Sequence, residues 1–303
     1  MNKLKTRKQK RTKLAQIVLV LILLFITILF AMPVLLIFIS AFTDEKVLTV
    51  SGFTFFPSKL SLNGFNAVLR YGKQLFISYG VTILVTISGT LIGLLVMAMY
   101  AHCLTIKDFP LRKFLVIWAT IPMLFSGGQL STYVIYTSVY HLQDSLWLLI
   151  LPLCVSTMNI IILRTYIQTS IPGDLMDSAR IDGAGEYRTF FQIVLPLMKP
   201  SLAAVGFMMA TMYWNDWQNA LLFIKSDSKK PLQLLLINIQ KSIETLLSVR
   251  NIPSSALAAM QGSIPQYSAT MATVVVVIGP IIVVYPFFQK YFIKGLTIGS
   301  VKG

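Results

Sequence analysis

Two groups of side chains stand out from an otherwise apolar sequence. The first is Tyr213-Trp214-Asn215-Asp216-Trp217, where Asp216 is the one acid inside a long uncharged run. Aromatic rings beside amide and carboxylate groups suit a polyhydroxylated ligand, whose C–H faces stack while its hydroxyls take hydrogen bonds. The same residues also suit an interfacial aromatic belt with Asp216 reaching for headgroup water, and both readings stay open. The second group is Asp177, Asp182, Glu186 and Arg188, packed into one short polar segment. Other chemistry is missing. No Gly-x4-Gly-Lys-Ser/Thr phosphate loop occurs, no His-Glu-x-x-His, and no pair of acids within an apolar run. His102 and His141 stand apart, and Cys103 and Cys154 have neither disulfide nor metal spacing. The sequence therefore predicts no catalytic residue, no metal ligand and no cofactor in this chain.

The elements that position these groups are membrane spans. Of 303 residues, 55% are apolar and 12% charged, against about 25% charged in soluble domains. Mean hydropathy is +0.73. A helix needs about 20 apolar residues to cross the hydrocarbon core. The runs predict an all-α polytopic membrane protein with six transmembrane helices, near 14–40, 76–101, 113–137, 147–167, 200–223 and 268–288. This divides the chain into a basic N-terminus (1–13), a first span (14–40), an outer segment (41–75), a five-span core (76–288) and a tail (289–303). The core includes an inner loop at 170–199 and an outer segment at 224–267. On that topology 17 of the 26 Lys and Arg fall on the side of the termini, so the positive-inside rule makes both termini cytoplasmic. The +15 net charge is thus spread over every inner segment and forms no nucleic-acid stripe. The apolar stretch after Lys13 is about twice the longest signal-peptide core and lacks a small-x-small cleavage site, which predicts a retained first span.

The inner loop has its own pattern. Ser170 and Pro172 suit a helix start, and Ile171, Leu175 and Ala179 recur on one face. Gly183 suits a left-handed helix end. From Gly185, Tyr187, Phe190, Phe191, Val194 and Leu195 follow helical spacing, and Pro196 and Pro200 bracket the way into the fifth span. Two short helices with a glycine elbow are expected at the cytoplasmic face. Periodicity alone leaves open whether they only cover the bundle or dock into a partner's groove.

Spacing favours docking. Asp177, Ser178, Ala179, Gly183, Ile193, Leu195 and Pro196 match in register the pattern Glu-Ala-Ala-x3-Gly-x9-Ile-x-Leu-Pro, with Asp for Glu and Ser for the first Ala. This segment resembles the signature of bacterial ATP-binding-cassette (ABC) importer permeases. Asp182-Gly183-Ala184, Phe55-Phe56-Pro57 through Leu60-Ser61, Pro122 to Gly128, Trp214 to Trp217 and Gln289 to Thr297 extend the resemblance over nearly the whole chain. They are most similar to the carbohydrate branch, in particular the second permease subunit of maltose-type importers and an oligosaccharide and polysaccharide sub-branch common in Gram-positive bacteria.

The resemblance implies a type I ABC importer permease fold in a bacterial plasma membrane. It implies a second homologous permease, two copies of a cytoplasmic ATPase that hold ATP and Mg, and an extracellular solute-binding protein delivering a sugar. Asp177, Ser178, Ala179, Asp182, Gly183, Ala184, Ile193, Leu195 and Pro196 would form the ATPase-coupling loop, and Tyr213, Trp214, Asn215, Asp216 and Trp217 a substrate path. The alternatives are an importer permease for a non-sugar solute and an ion-coupled secondary carrier, which would carry internal repeats and intramembrane charges.

Overall fold

In lipid every backbone group must be satisfied within the protein, and this chain meets the requirement with helices. The computed structural model describes residues 2–106, 108–248 and 265–298. Among these, the single isolated bridge Thr43–Leu60 is the only extended pairing. Three helices are long and apolar enough to cross a membrane alone, within Gln16–Ala41, Gly72–Cys103 and Gln266–Phe287. Three further spans come from bent pairs, giving a six-span, multi-pass membrane protein. The chain folds as two units, residues 1–71 with 240–278, and residues 72–239 with 279–303.

The first unit begins with α1 (Asn2–Ala41), which continues through Pro33. Most of its apolar stretch Gln16–Ala41 is exposed, and only its end at Ser40 and Ala41 is buried. Asp44 accepts from the Lys46 amide and so caps α2 (Glu45–Ser51), while Lys59 pairs with its carboxylate at 3.1 Å. Within α3 (Asn63–Leu69), Gly64 lies so close to the Ser268 carbonyl that a Cβ would sit 2.5 Å from its oxygen. Glu45 is 5% exposed. Its carboxylate accepts from the Tyr267 and Ser268 amides, both at 2.9 Å, and from Ser268 Oγ at 2.8 Å. Those amides open the last helix and have no partner within it, so Glu45 caps it from a distant part of the sequence.

The second unit is organised around α4 (Gly72–Cys103). Then come α5 (Arg112–Leu124), α6 (Gly128–Val134) with a π turn at Ile135–Val139, α7 (Trp147–Cys154) and α8 (Thr157–Ser170). The inner loop carries α9 (Gly173–Ile181), α10 (Glu186–Thr189), a π turn (Phe190–Val194) and α11 (Leu195–Leu197). Last come α12 (Lys199–Trp214), α13 (Gln218–Phe223), α14 (Leu232–Ser248) up to residue 239 and α15 (Gln266–Ile298) from residue 279, the rest of these two helices belonging to the first unit. Helices α4 and α12 pack where glycines allow close approach. A Cβ on Gly89 would meet the Tyr213 ring at 2.4 Å, and one on Gly93 the Cys154 carbonyl oxygen at 2.6 Å. The Tyr213 hydroxyl donates to the Ile150 carbonyl at 2.8 Å, joining α12 to α7.

The spans are less straight than their hydropathy suggests. The third turns by 118° between α5 and α6–Val139, the fourth by 52° between α7 and α8, and the α10–α11 segment meets α12 at 78°. The first break falls beside Gly128, at φ +76°, and Pro122. The second lies at Val155–Ser156, where both residues are extended. Freed groups there find partners: Thr157 Oγ1 donates to the Ala119 carbonyl at 2.5 Å, and the Ser156 amide to Met97 Sδ at 3.4 Å.

Candidate coupling loop and translocation path

The loop after the fourth span starts where α8 ends. Ser170 is the last residue of α8 and caps nothing; Pro172, extended at ψ 133°, stands at the cap position of α9. Ile171, at 5% exposure, anchors the start of the loop in the core. Along α9, Ala179 is buried while Asp177 and Ser178 are exposed, and Leu175 also faces outward. Asp174 lies in its first turn and Arg180 in its last, each at the end of the helix dipole that favours its charge.

Gly183 ends α9 in the left-handed region, at φ +77°. The Gly183 amide donates to the Arg180 carbonyl at 3.0 Å and the Ala184 amide to the Ala179 carbonyl at 2.8 Å. These are the two bonds of a Schellman stop. A Cβ on Gly183 would meet nothing within 4 Å, so its dihedral angle, not crowding, requires glycine here. Arg180 Nη2 then reaches Glu186 Oε1 at 3.0 Å and closes the elbow from the other side.

Beyond the elbow the packing differs from the helical spacing in the sequence. A uniform helix would turn Tyr187, Phe190, Phe191, Val194 and Leu195 onto one buried stripe. The π turn at Phe190–Val194 widens one turn by a residue and rotates that stripe. Thr189, Phe190, Val194 and Met198 are buried instead, while Tyr187 is 78% exposed. Of the predicted coupling residues, Asp177, Ser178, Asp182, Gly183 and Pro196 are exposed, Ala184, Ile193 and Leu195 are half-buried and Ala179 is buried. Sequence reasoning passed over Arg180 and gave His102 no role. A lone histidine in an apolar run was the available signal for the last.

The residues predicted for a path do not converge. Tyr213 is buried and committed to Ile150. Trp214 lines a cavity of about 690 Å³ between α4, α12 and α15, with Tyr79, Thr86, Thr90, Gly206 and Pro280 also in its wall. The helix ends there, so Asn215, Asp216 and Trp217 occupy a break rather than a helix face. Asn215 donates to the Thr211 carbonyl at 3.0 Å and accepts from Gln233 at 3.0 Å. Asp216 accepts from the Asn219 amide at 3.2 Å and from its side chain at 2.9 Å, which fastens the first turn of α13. Trp217 is exposed.

A second carboxylate fixes the loop after α13. Asp144 accepts from the Lys225 amide at 2.9 Å, the Ser226 amide at 3.0 Å, the Ser226 hydroxyl and Lys229 Nζ at 3.2 Å. The Ser226 hydroxyl and amide, then the Lys225 amide, hold its carboxyl well below the usual carboxylate range. The outer segment predicted at 224–267 continues through residues 249–264, and the tail predicted at 289–303 through 299–303; both of these stretches lie outside the described residues. Among the described residues no group of three or more His, Cys, Asp or Glu could hold a metal.

No family model matches the chain. It is 36% identical to LplC of Bacillus subtilis strain 168 over 274 residues, covering 90% of this chain and 89% of LplC. It is 33% identical over 290 residues to YtcP of the same organism, a polygalacturonan/rhamnogalacturonan transport system permease, covering 93% and 96%. The chain belongs to the carbohydrate ABC importer permeases. The fold agrees: a bacterial ABC transporter involved in import of the acidic polysaccharide alginate superposes on this permease with TM-score 0.74 at 27% identity, over 89% of this chain and 94% of that one. As a member of this family the permease serves sugar import driven by an ABC ATPase and supplied by a binding protein.

Proposed function

We propose that this permease moves an oligosaccharide inward across the plasma membrane as one half of a heterodimer with a second, homologous permease. Both termini are cytoplasmic on this reading, two copies of the ATPase bind below, and the solute-binding protein lands on the outer segments 41–75 and 224–267. Similarity to YtcP and to the alginate importer supports a polymeric sugar over another solute. The permease itself catalyses no reaction. ATP and Mg belong to the ATPase, and the work done here is mechanical.

One observation carries the coupling role of 170–199. The α9 face with Asp177, Ser178, Asp182 and an Ile181 that is 86% exposed projects from a stop held by two backbone bonds and an ion pair. An exposed apolar residue among acids on a rigid short helix suits a groove in a partner protein. Phe190, Val194 and Met198, buried against the bundle, are the lever through which displacement of that face would turn α12. For the path, the cavity beside Trp214 has almost wholly apolar walls. Hydrogen-bond partners for the sugar hydroxyls would then come from the second permease, with Trp214 contributing a stacking surface.

Affinity purification of the tagged permease from its native membrane tests this reading. Recovery of an ATPase and a second permease is expected, and loss of the ATPase when Ala179 is replaced by Trp. Recovery of a lone, ion-driven transporter would overturn the proposal. Assaying ATPase stimulation with one purified oligosaccharide at a time would then identify the sugar.

A further inference from the structure

His102 stands one residue before the end of α4 and is 4% exposed. A polar ring buried in an apolar bundle is costly unless something engages it. Neither of its nitrogens has a hydrogen-bond partner among the described residues. Its Nε2 instead faces Glu186 Oε2 at 3.7 Å, within ion-pair range and beyond hydrogen-bond range. The other oxygen of the same carboxylate holds Arg180 at 3.0 Å. The ring also packs on Phe190, with centroids 5.4 Å apart. One carboxylate therefore sits between three elements: α9 through Arg180, α10 through its own backbone, and α4 through His102. The carbonyl end of α4 favours a cation at this position. The charged groups facing the ring are Glu186 and Arg180, with Cys103 its neighbour on α4. Space-filling alone would be served by leucine or phenylalanine.

From this juxtaposition we infer that His102 is a positioning residue that ties the inner end of α4 to the coupling loop through Glu186. Displacement of the loop then reaches α4 directly, and not only α12 through the lever. The inference rests on the coupling reading of 170–199. Its specific content is that His102 and Glu186 act as one unit.

The test uses the complete importer in nanodiscs and measures binding-protein-stimulated over basal ATPase activity across about pH 5–8, where imidazoles titrate. His102→Phe keeps a ring against Phe190 and removes the nitrogens that face Glu186. Glu186→Gln changes a half-exposed side chain and leaves the core intact. Each is expected to lower the stimulation ratio about threefold, and the double variant no further, because both remove the same tie. Whatever pH dependence the wild-type ratio draws from this pair, both variants should flatten it. Effects that multiply to about ninefold in the double variant would overturn the inference. So would a wild-type pH profile retained by Glu186→Gln, a result that stands even if His102→Phe fails to assemble. Gly183→Val in the same nanodiscs separates the two claims. If it keeps full stimulation, the coupling reading fails; if it loses stimulation while the His102 and Glu186 effects multiply, only the present inference fails.

Discussion

Asp144 and Gly183 both carry the chain through the left-handed region, at φ +57° and +77°, but the two turns are built on opposite plans. At Asp144 the turn is held by its own side chain, whose carboxylate gathers Lys225, Ser226 and Lys229 from the loop after α13. The strain of a non-glycine residue is offset by contacts that leave its oxygens no capacity for a partner protein. At Gly183 the side chain is absent, the stop is made by backbone bonds, and the acids on either side are exposed. The first turn is closed on itself. The second is rigid in its backbone and leaves Asp177 and Asp182 exposed toward an outside surface. Fixing a loop and presenting one thus call for different residues at the same dihedral angle.

The largest expected effect is at the presenting turn. Gly183→Val forces a β-branched residue to positive φ, adding about 1–2 kcal/mol of strain. Transport should fall about tenfold or more while the permease still inserts, whereas Gly183→Asn, which tolerates this region, should retain most activity. Equal activity of the two variants in a vesicle uptake assay would break the contrast. At the closed turn, Asp144→Ala orphans several donors and should lower stability by about 2–3 kcal/mol, read as a reduced unfolding midpoint in detergent.

The pH dependence of that second effect has a fixed sign. Because donors depress the Asp144 carboxyl, its stabilisation is present above the unfolded value of about 3.9 and is lost only as pH falls through the lower folded value. The gap between wild type and Asp144→Ala should therefore stay constant from about pH 8 to 5 and close only in stronger acid. A smaller effect is expected from Asp177→Asn: transport about threefold lower and stability within about 0.5 kcal/mol, as for an exposed acid used only by a partner. A clear loss of stability would mean that Asp177 is a structural acid like Asp144. The smallest change is predicted for Asp216→Asn, which keeps an acceptor for Asn219. Stability should drop by under about 1 kcal/mol with uptake changed less than about twofold. A large uptake defect would return Asp216 to the sugar path.

What could be read in the sequence was whatever depends on local pattern. Apolar runs marked the spans because lipid sets their length, and Gly183 marked the elbow because few other residues adopt its dihedral angles. The break at Val155–Ser156 follows Pro152 in α7, but the partners that Thr157 and Met97 supply there come from residues far off in the sequence. The π turn at Phe190–Val194 has no compositional mark; Phe190 and Val194 keep their predicted burial while Tyr187 and Phe191 are exposed. The role of Asp144 depends on residues more than 80 positions away, and that of His102 on a loop from another part of the unit. For Asp216 the sequence left two readings open, and its partner Asn219 lies in a helix turn that the uncharged run concealed.

Glu45 and the start of α15 have a consequence for biosynthesis. The acid enters the membrane interface with the first hairpin, while the amides that neutralise it lie 222 and 223 residues later. Until the last span leaves the ribosome and inserts, the outer segment carries a carboxylate with no place to settle. A chain stalled or truncated before Tyr267 would display that unpaired acid, together with the mismatched surface around Gly64, as a mark of incompleteness.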